Sequence, residues 1–138
     1  MVRPYGPKVA CRFVMGWRRF TEIEAWQLAM KLRLELDAIL DRSPACQNRR
    51  FCDEARAAAD SAPRNIAEGF GRYGRREFAR FVTIARASLL ETQTNLIIAR
   101  DRQFMTPSEF DQIWALSEET VATATGLLKS LQQPRGRG

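Results

Sequence analysis

Three glycines in Gly69-Phe70-Gly71-Arg72-Tyr73-Gly74 match G-x-G-x-x-G, the spacing of a loop that wraps a dinucleotide pyrophosphate. That chemistry needs a strand before the loop and a helix after it, so that backbone amides at the helix start meet the phosphates. The residues ahead of this motif include CDEARAAAD, a run of strong helix formers. The glycines are therefore expected to end one helix and start another, with Gly69 or Gly71 at positive φ after the first and Gly74 capping the second. Around them cluster Arg64, Arg72, Arg75, Arg76 and Arg80. Arginines at a helix start oppose the helix macrodipole. They form either a solvated face neutralised by Glu68–Arg72 and Glu77–Arg80 pairs or a surface that contacts phosphate oxygens. Ser61, Asn65 and Glu68 fall at i, i+4 and i+7 on one helical face beside Pro63. An Asn–Glu pair could do acid–base work, but no nucleophile or metal partner accompanies it. The expectation is a hydrogen-bonded network that repairs the kink at Pro63 and fixes helix packing or a subunit contact.

The composition narrows the classes further. The chain has 138 residues and no histidine, which removes the usual general base and the commonest haem ligand. Three cysteines, Cys11, Cys46 and Cys52, have no framework spacing and too few companions for a four-ligand zinc site. They read as reduced cytosolic thiols. No catalytic residue, metal or cofactor is expected, and the chain reads as a non-enzyme. No apolar run approaches the ~18 residues of a membrane span, and the basic N-terminus lacks a signal peptide's apolar segment. A cytoplasmic protein with no membrane partner is expected. The net charge of +6 is unevenly placed: residues 1–20 hold five Lys/Arg and no acid, and residues 61–82 hold five against two. Such clustering is the electrostatic footprint of a polyanion partner.

Four helices must position these groups. Thr21-Glu22-Ile23-Glu24 reads as a capping box, with Thr21 as the cap and Glu24 reaching back. Trp26, Ala29, Leu32, Leu36 and Leu40 then follow the helical period to Asp41. The second helix runs from Arg49 to Gly69 on a stripe of Phe51, Ala55, Ala59, Ala62 and Ile66, with Pro63 expected to kink it. Its small alanine face suits close approach to another helix, in this chain or another. The third runs from Arg75 to Phe104. The fourth has a capping box of Thr106 and Glu109, Pro107 at its first position and a Met105–Phe110 staple, and ends near Leu131. No segment alternates as a strand. The expected fold is an all-α up-and-down four-helix bundle over residues 20–132, between a flexible basic arm (1–19) and a basic tail (133–138).

The run from Arg56 through Asp60-Ser61, Asn65-Ile66-Ala67-Glu68-Gly69 and Arg72, followed by Glu77-Phe78 and Phe81, resembles the four-helix-bundle protein family. Phe20, Trp26-Gln27, Ala29, Ala85, Ser88-Leu89 and Glu91 fit the same pattern. That family includes proteins encoded by intervening sequences in bacterial large-subunit ribosomal RNA genes and the accessory variability determinant of diversity-generating retroelements. Glu54, Ala57 and Ala62 depart from the family pattern, which carries one more basic side chain there. The resemblance implies a homopentamer and, in retroelements, a basic accessory that binds RNA or DNA and a reverse transcriptase. The expected function is an oligomeric scaffold that binds nucleic acid through its basic surface. The alternative is a protein–protein interaction scaffold without nucleic-acid binding.

Overall fold

The computed structural model describes residues 16–134. The arm through residue 15, with Cys11, and the tail from residue 135 lie outside the described residues. Four α-helices carry the chain: α1 (Glu24–Arg42), α2 (Arg49–Phe70), α3 (Arg75–Asp101) and α4 (Pro107–Gln132). No strand occurs among the described residues. Each helix packs on the next, and α4 closes back on α1. The periodic residues become the shared core, with Leu32, Leu36 and Leu40 of α1 and Ile66 of α2 almost wholly buried against Val82, Leu89 and Leu96 of α3 and Ile113 of α4. Trp17, ahead of residue 20, is also buried and meets Phe78 edge-on at 6.5 Å between ring centroids.

Local chemistry sets the helix ends. At α4 the expected box forms: Thr106 Oγ1 accepts from the Glu109 amide at 3.1 Å, and Glu109 Oε1 accepts from the Thr106 amide at 2.9 Å. At α1 it does not. A 3-10 turn over Phe20–Glu22 precedes the helix, Ile23 stands at the N-cap without a side-chain bond, and Glu22 turns back to the amides of Arg18 (2.7 Å) and Arg19 (3.2 Å). Thr21 instead offers its carbonyl to Gln27 Nε2 at 2.8 Å. Asn48 caps α2 through the Phe51 amide. Helix α3 stops three residues short of Phe104, because Gln103 adopts φ 60°. Phe104 then donates to the Ala99 carbonyl and Gln103 to that of Arg100. This is the Schellman closure, made here without the usual glycine.

The glycine-rich linker corrects the sequence expectation. Gly69 lies inside α2, and Gly71 ends the helix at φ −76°, so neither adopts positive φ. Only Gly74 does, at φ 89°, as the N-cap of α3. Gly69 serves close packing: a Cβ there would lie 2.7 Å from Phe81 Cβ and 3.0 Å from Phe78 Cδ1. The alanine face of α2 has the same use within this chain, since Ala55, Ala59 and Ala62 are buried in its own core. It therefore offers no surface to a second copy.

Candidate nucleic-acid interface

The α2–α3 linker brings most of the basic cluster to one end of the helices, but on unequal terms. Arg72, in the linker, and Arg80, one turn into α3 beyond Arg76, both lay their guanidinium groups on the Phe81 ring, at 5.1 and 4.7 Å from its centroid. Each also pairs with a neighbouring acid: Arg72 with Glu68 at 2.9 Å and Arg80 with Glu77 at 3.0 Å. The two ion pairs of the solvated-face alternative are thus both present. They are half exposed on every side chain, and exposed pairs of this kind are worth only ~0–1 kcal/mol, so a phosphate can displace the carboxylate at little cost.

Arg75 behaves differently. It is half-buried, donates from Nη2 to the Ser130 carbonyl in the last turn of α4, and its Nε is buried without a hydrogen-bond partner. This arginine ties the start of α3 to the end of α4, where free carbonyls and the negative end of the helix dipole favour a cation. Arg76 is exposed and has no partner among the described residues. Arg75, Arg76 and Arg80 line one open groove of about 590 Å³ with Thr83 of α3 and Leu131 and Gln132 of α4. Arg64 does not join them. It is exposed on α2, in a separate groove with Asp53, Arg56, Asp60 and Glu68. Glu68, paired to Arg72, is the residue between the two regions.

Ser61, Asn65 and Glu68 are not one network. Asn65 Nδ2 donates to the Ser61 carbonyl (2.8 Å) and to Ser61 Oγ (3.0 Å), and Ser61 Oγ lies 2.8 Å from Ser88 Oγ of α3. Glu68 takes no part in it. Through Ser88 the network spans the α2–α3 seam. It does not repair Pro63 directly, because the carbonyl that loses its donor there is that of Ala59, four residues back, and Asn65 reaches Ser61 instead. The contact of Ser88 with Ser61 was invisible to sequence reasoning because the two residues come from different helices.

The family-like residues therefore act mainly within the fold. Arg56 bridges α2 to Asp37 (3.0 Å) and Asp41 (2.5 Å) of α1. Arg33 meets Asp60 at 2.9 Å across the same pair of helices. Gly69 admits Phe78 and Phe81, and Arg72 closes over Phe81. Cys46 and Cys52 are free thiols; Cys52 is buried, which pushes its pKa up, and donates to the Ala45 carbonyl at 3.0 Å. Among the described residues no group of side chains could hold a metal, and no helix is long and apolar enough to cross a membrane.

Sequence reasoning also missed Tyr73. It is fully exposed on the linker between Arg72 and Arg75, whereas Phe20, the other exposed aromatic among the described residues, packs edge-on against Trp26 at 5.3 Å. The available signal was an aromatic set among arginines in a glycine-rich linker.

Residues 21–126 match the family model of the 23S rRNA-intervening sequence protein. No curated protein matches the chain.

Proposed function

The chain belongs to the 23S rRNA-intervening sequence protein family, and from that premise we propose that it is a non-enzymatic protein that binds nucleic acid. The binding surface is the arginine-rich end at the α2–α3 linker. The observation that carries this reading is the excess of cation there: among the described residues Arg72 and Arg80 pair with Glu68 and Glu77, whereas Arg75 meets a carbonyl and the exposed Arg76 has no carboxylate partner. Arg76 and Arg80 supply phosphate contacts directly, and Arg72 adds one when Glu68 releases it. Arg75 positions the start of α3, and Arg64 adds a cation on the neighbouring α2 surface. In this proposal the helices run up and down, the protein acts in the cytoplasm, and copies assemble into a homo-oligomer, a pentamer by family resemblance. Five copies would multiply the basic surface around a ring. A ribonucleoprotein, or an accessory to a reverse transcriptase, is the setting that resemblance suggests.

A second reading, a protein-interaction scaffold that binds no nucleic acid, draws on the exposed Leu34, Ile84 and Leu90 and on the two ion pairs that partly neutralise the basic end. A binding titration against salt separates the two. Phosphate contacts make affinity fall linearly on a log–log scale, by about 0.7 per phosphate for single strands and about 0.9 for duplex. A scaffold of the second kind shows no binding at low salt.

A further inference from the structure

Tyr73 is the described aromatic that meets nothing. Its ring is fully exposed, and even a Cβ added at the adjacent Gly74 would find open space. A side chain of this size normally buries 150–250 Å² when it packs, so full exposure leaves its whole π-face available. The linker that carries it is nonetheless held on both sides. Before it, Arg72 is drawn onto Phe81 and Glu68; after it, Arg75 is tied to the Ser130 carbonyl of α4. Anchoring both flanks limits the ordering that a ligand must impose, which lowers the cost of binding. Exposed cations continue on the far side of the anchor at Arg76 and Arg80.

An aromatic face on a held loop beside a basic groove matches what an unpaired base and its phosphates require. A duplex keeps its bases stacked on each other and offers Tyr73 no free face. Building on the nucleic-acid reading above, we propose that Tyr73 is a base-stacking platform and that the ligand class is single-stranded nucleic acid. Its unpaired base lies on the Tyr73 ring, and its adjoining phosphates lie on Arg76 and Arg80. Neither contact reads the 2′-hydroxyl, so single-stranded RNA and DNA share this chemistry.

The test uses the full chain and fluorescence anisotropy with a labelled single-stranded RNA, the DNA of the same sequence and the corresponding duplex, across a range of salt. Tyr73→Ala should weaken both single strands by roughly five- to 150-fold, the range for loss of one stacked base. Its salt slope should stay at the wild-type value, because no phosphate contact is removed. Tyr73→Phe should bind single strands like wild type, and duplex binding should not respond to either change. The platform is overturned if Tyr73→Ala binds single strands like wild type, if the duplex weakens equally, or if Tyr73→Phe is as weak as Tyr73→Ala. Wild-type binding of both forms with no response to Tyr73→Ala removes the platform and leaves the arginine surface standing. Failure of wild type to bind any of the three at low salt removes both.

Discussion

Replacing Gly69 by alanine sets two effects of opposite sign against each other. In a helix interior, glycine to alanine favours folding by about 0.5–1 kcal/mol through backbone entropy and helix propensity. At Gly69 the added Cβ would stand 2.7 Å from Phe81 Cβ, 3.0 Å from Phe78 Cδ1 and 3.3 Å from the Phe78 carbonyl oxygen. The nearest atom is the root of a buried side chain, not a flexible tip, so α3 itself must move outward. Overpacking of this kind costs about 1–3 kcal/mol, and steric strain outweighs propensity. Net destabilisation of about 1–2 kcal/mol follows. Gly126, in α4, has nothing within 4 Å of its would-be Cβ, and Gly126→Ala should stabilise by about 0.5–1 kcal/mol. Urea unfolding at one protomer concentration measures both, because association would otherwise shift the midpoints. A Gly69→Ala variant at least as stable as wild type would refute the close approach of α2 and α3, and with it the placement of the linker arginines.

Gln103 holds φ 60° in the closure of α3, a strain that glycine lacks, so Gln103→Gly should stabilise by about 0.5–1 kcal/mol in thermal unfolding; destabilisation would contradict the left-handed cap. The Glu109 carboxyl is held below the ordinary carboxylate range, first by the Thr106 amide and also by Arg42 at 2.6 Å, against the opposing effect of burial. Its folded pKa lies below its unfolded value of about 4.3, so its stabilisation is complete above that pH and is lost as pH falls through the folded value. The difference in urea midpoint between wild type and Glu109→Gln should accordingly be largest above about pH 5 and close in more acid solution; a difference constant with pH would contradict it.

What the sequence revealed depended on how local each interaction is. The start of α4 was legible because Thr106 and Glu109 complete each other within one turn. The start of α1 was not, because Ile23 rather than Thr21 takes the N-cap and Glu22 finds the amides of Arg18 and Arg19 in a turn ahead of the helix. Gly74 was placed correctly, since an N-cap needs only its neighbours. Gly69 was misread because its reason is Phe81, twelve residues on and in another helix. The Asn65–Ser61 contact follows from one helix face, whereas Ser88 enters only when α3 packs. Likewise, five arginines counted together became a pair stacked on Phe81, a structural tie at Arg75, an exposed Arg76 and a separate Arg64.

Whether the linker arginines hold phosphates is decided by comparing the salt dependence of binding to a single-stranded oligonucleotide for wild type and for the triple variant Arg72→Gln, Arg76→Gln, Arg80→Gln. Cations elsewhere in the chain contribute equally to both slopes and cancel in the difference. Three lost contacts at about 0.7 each should flatten the log–log slope by about 2. Affinity at low salt should fall with it, while helicity by circular dichroism and mass by light scattering stay unchanged. An unchanged slope and affinity in the triple variant would contradict the proposal and leave these arginines as a solvated face.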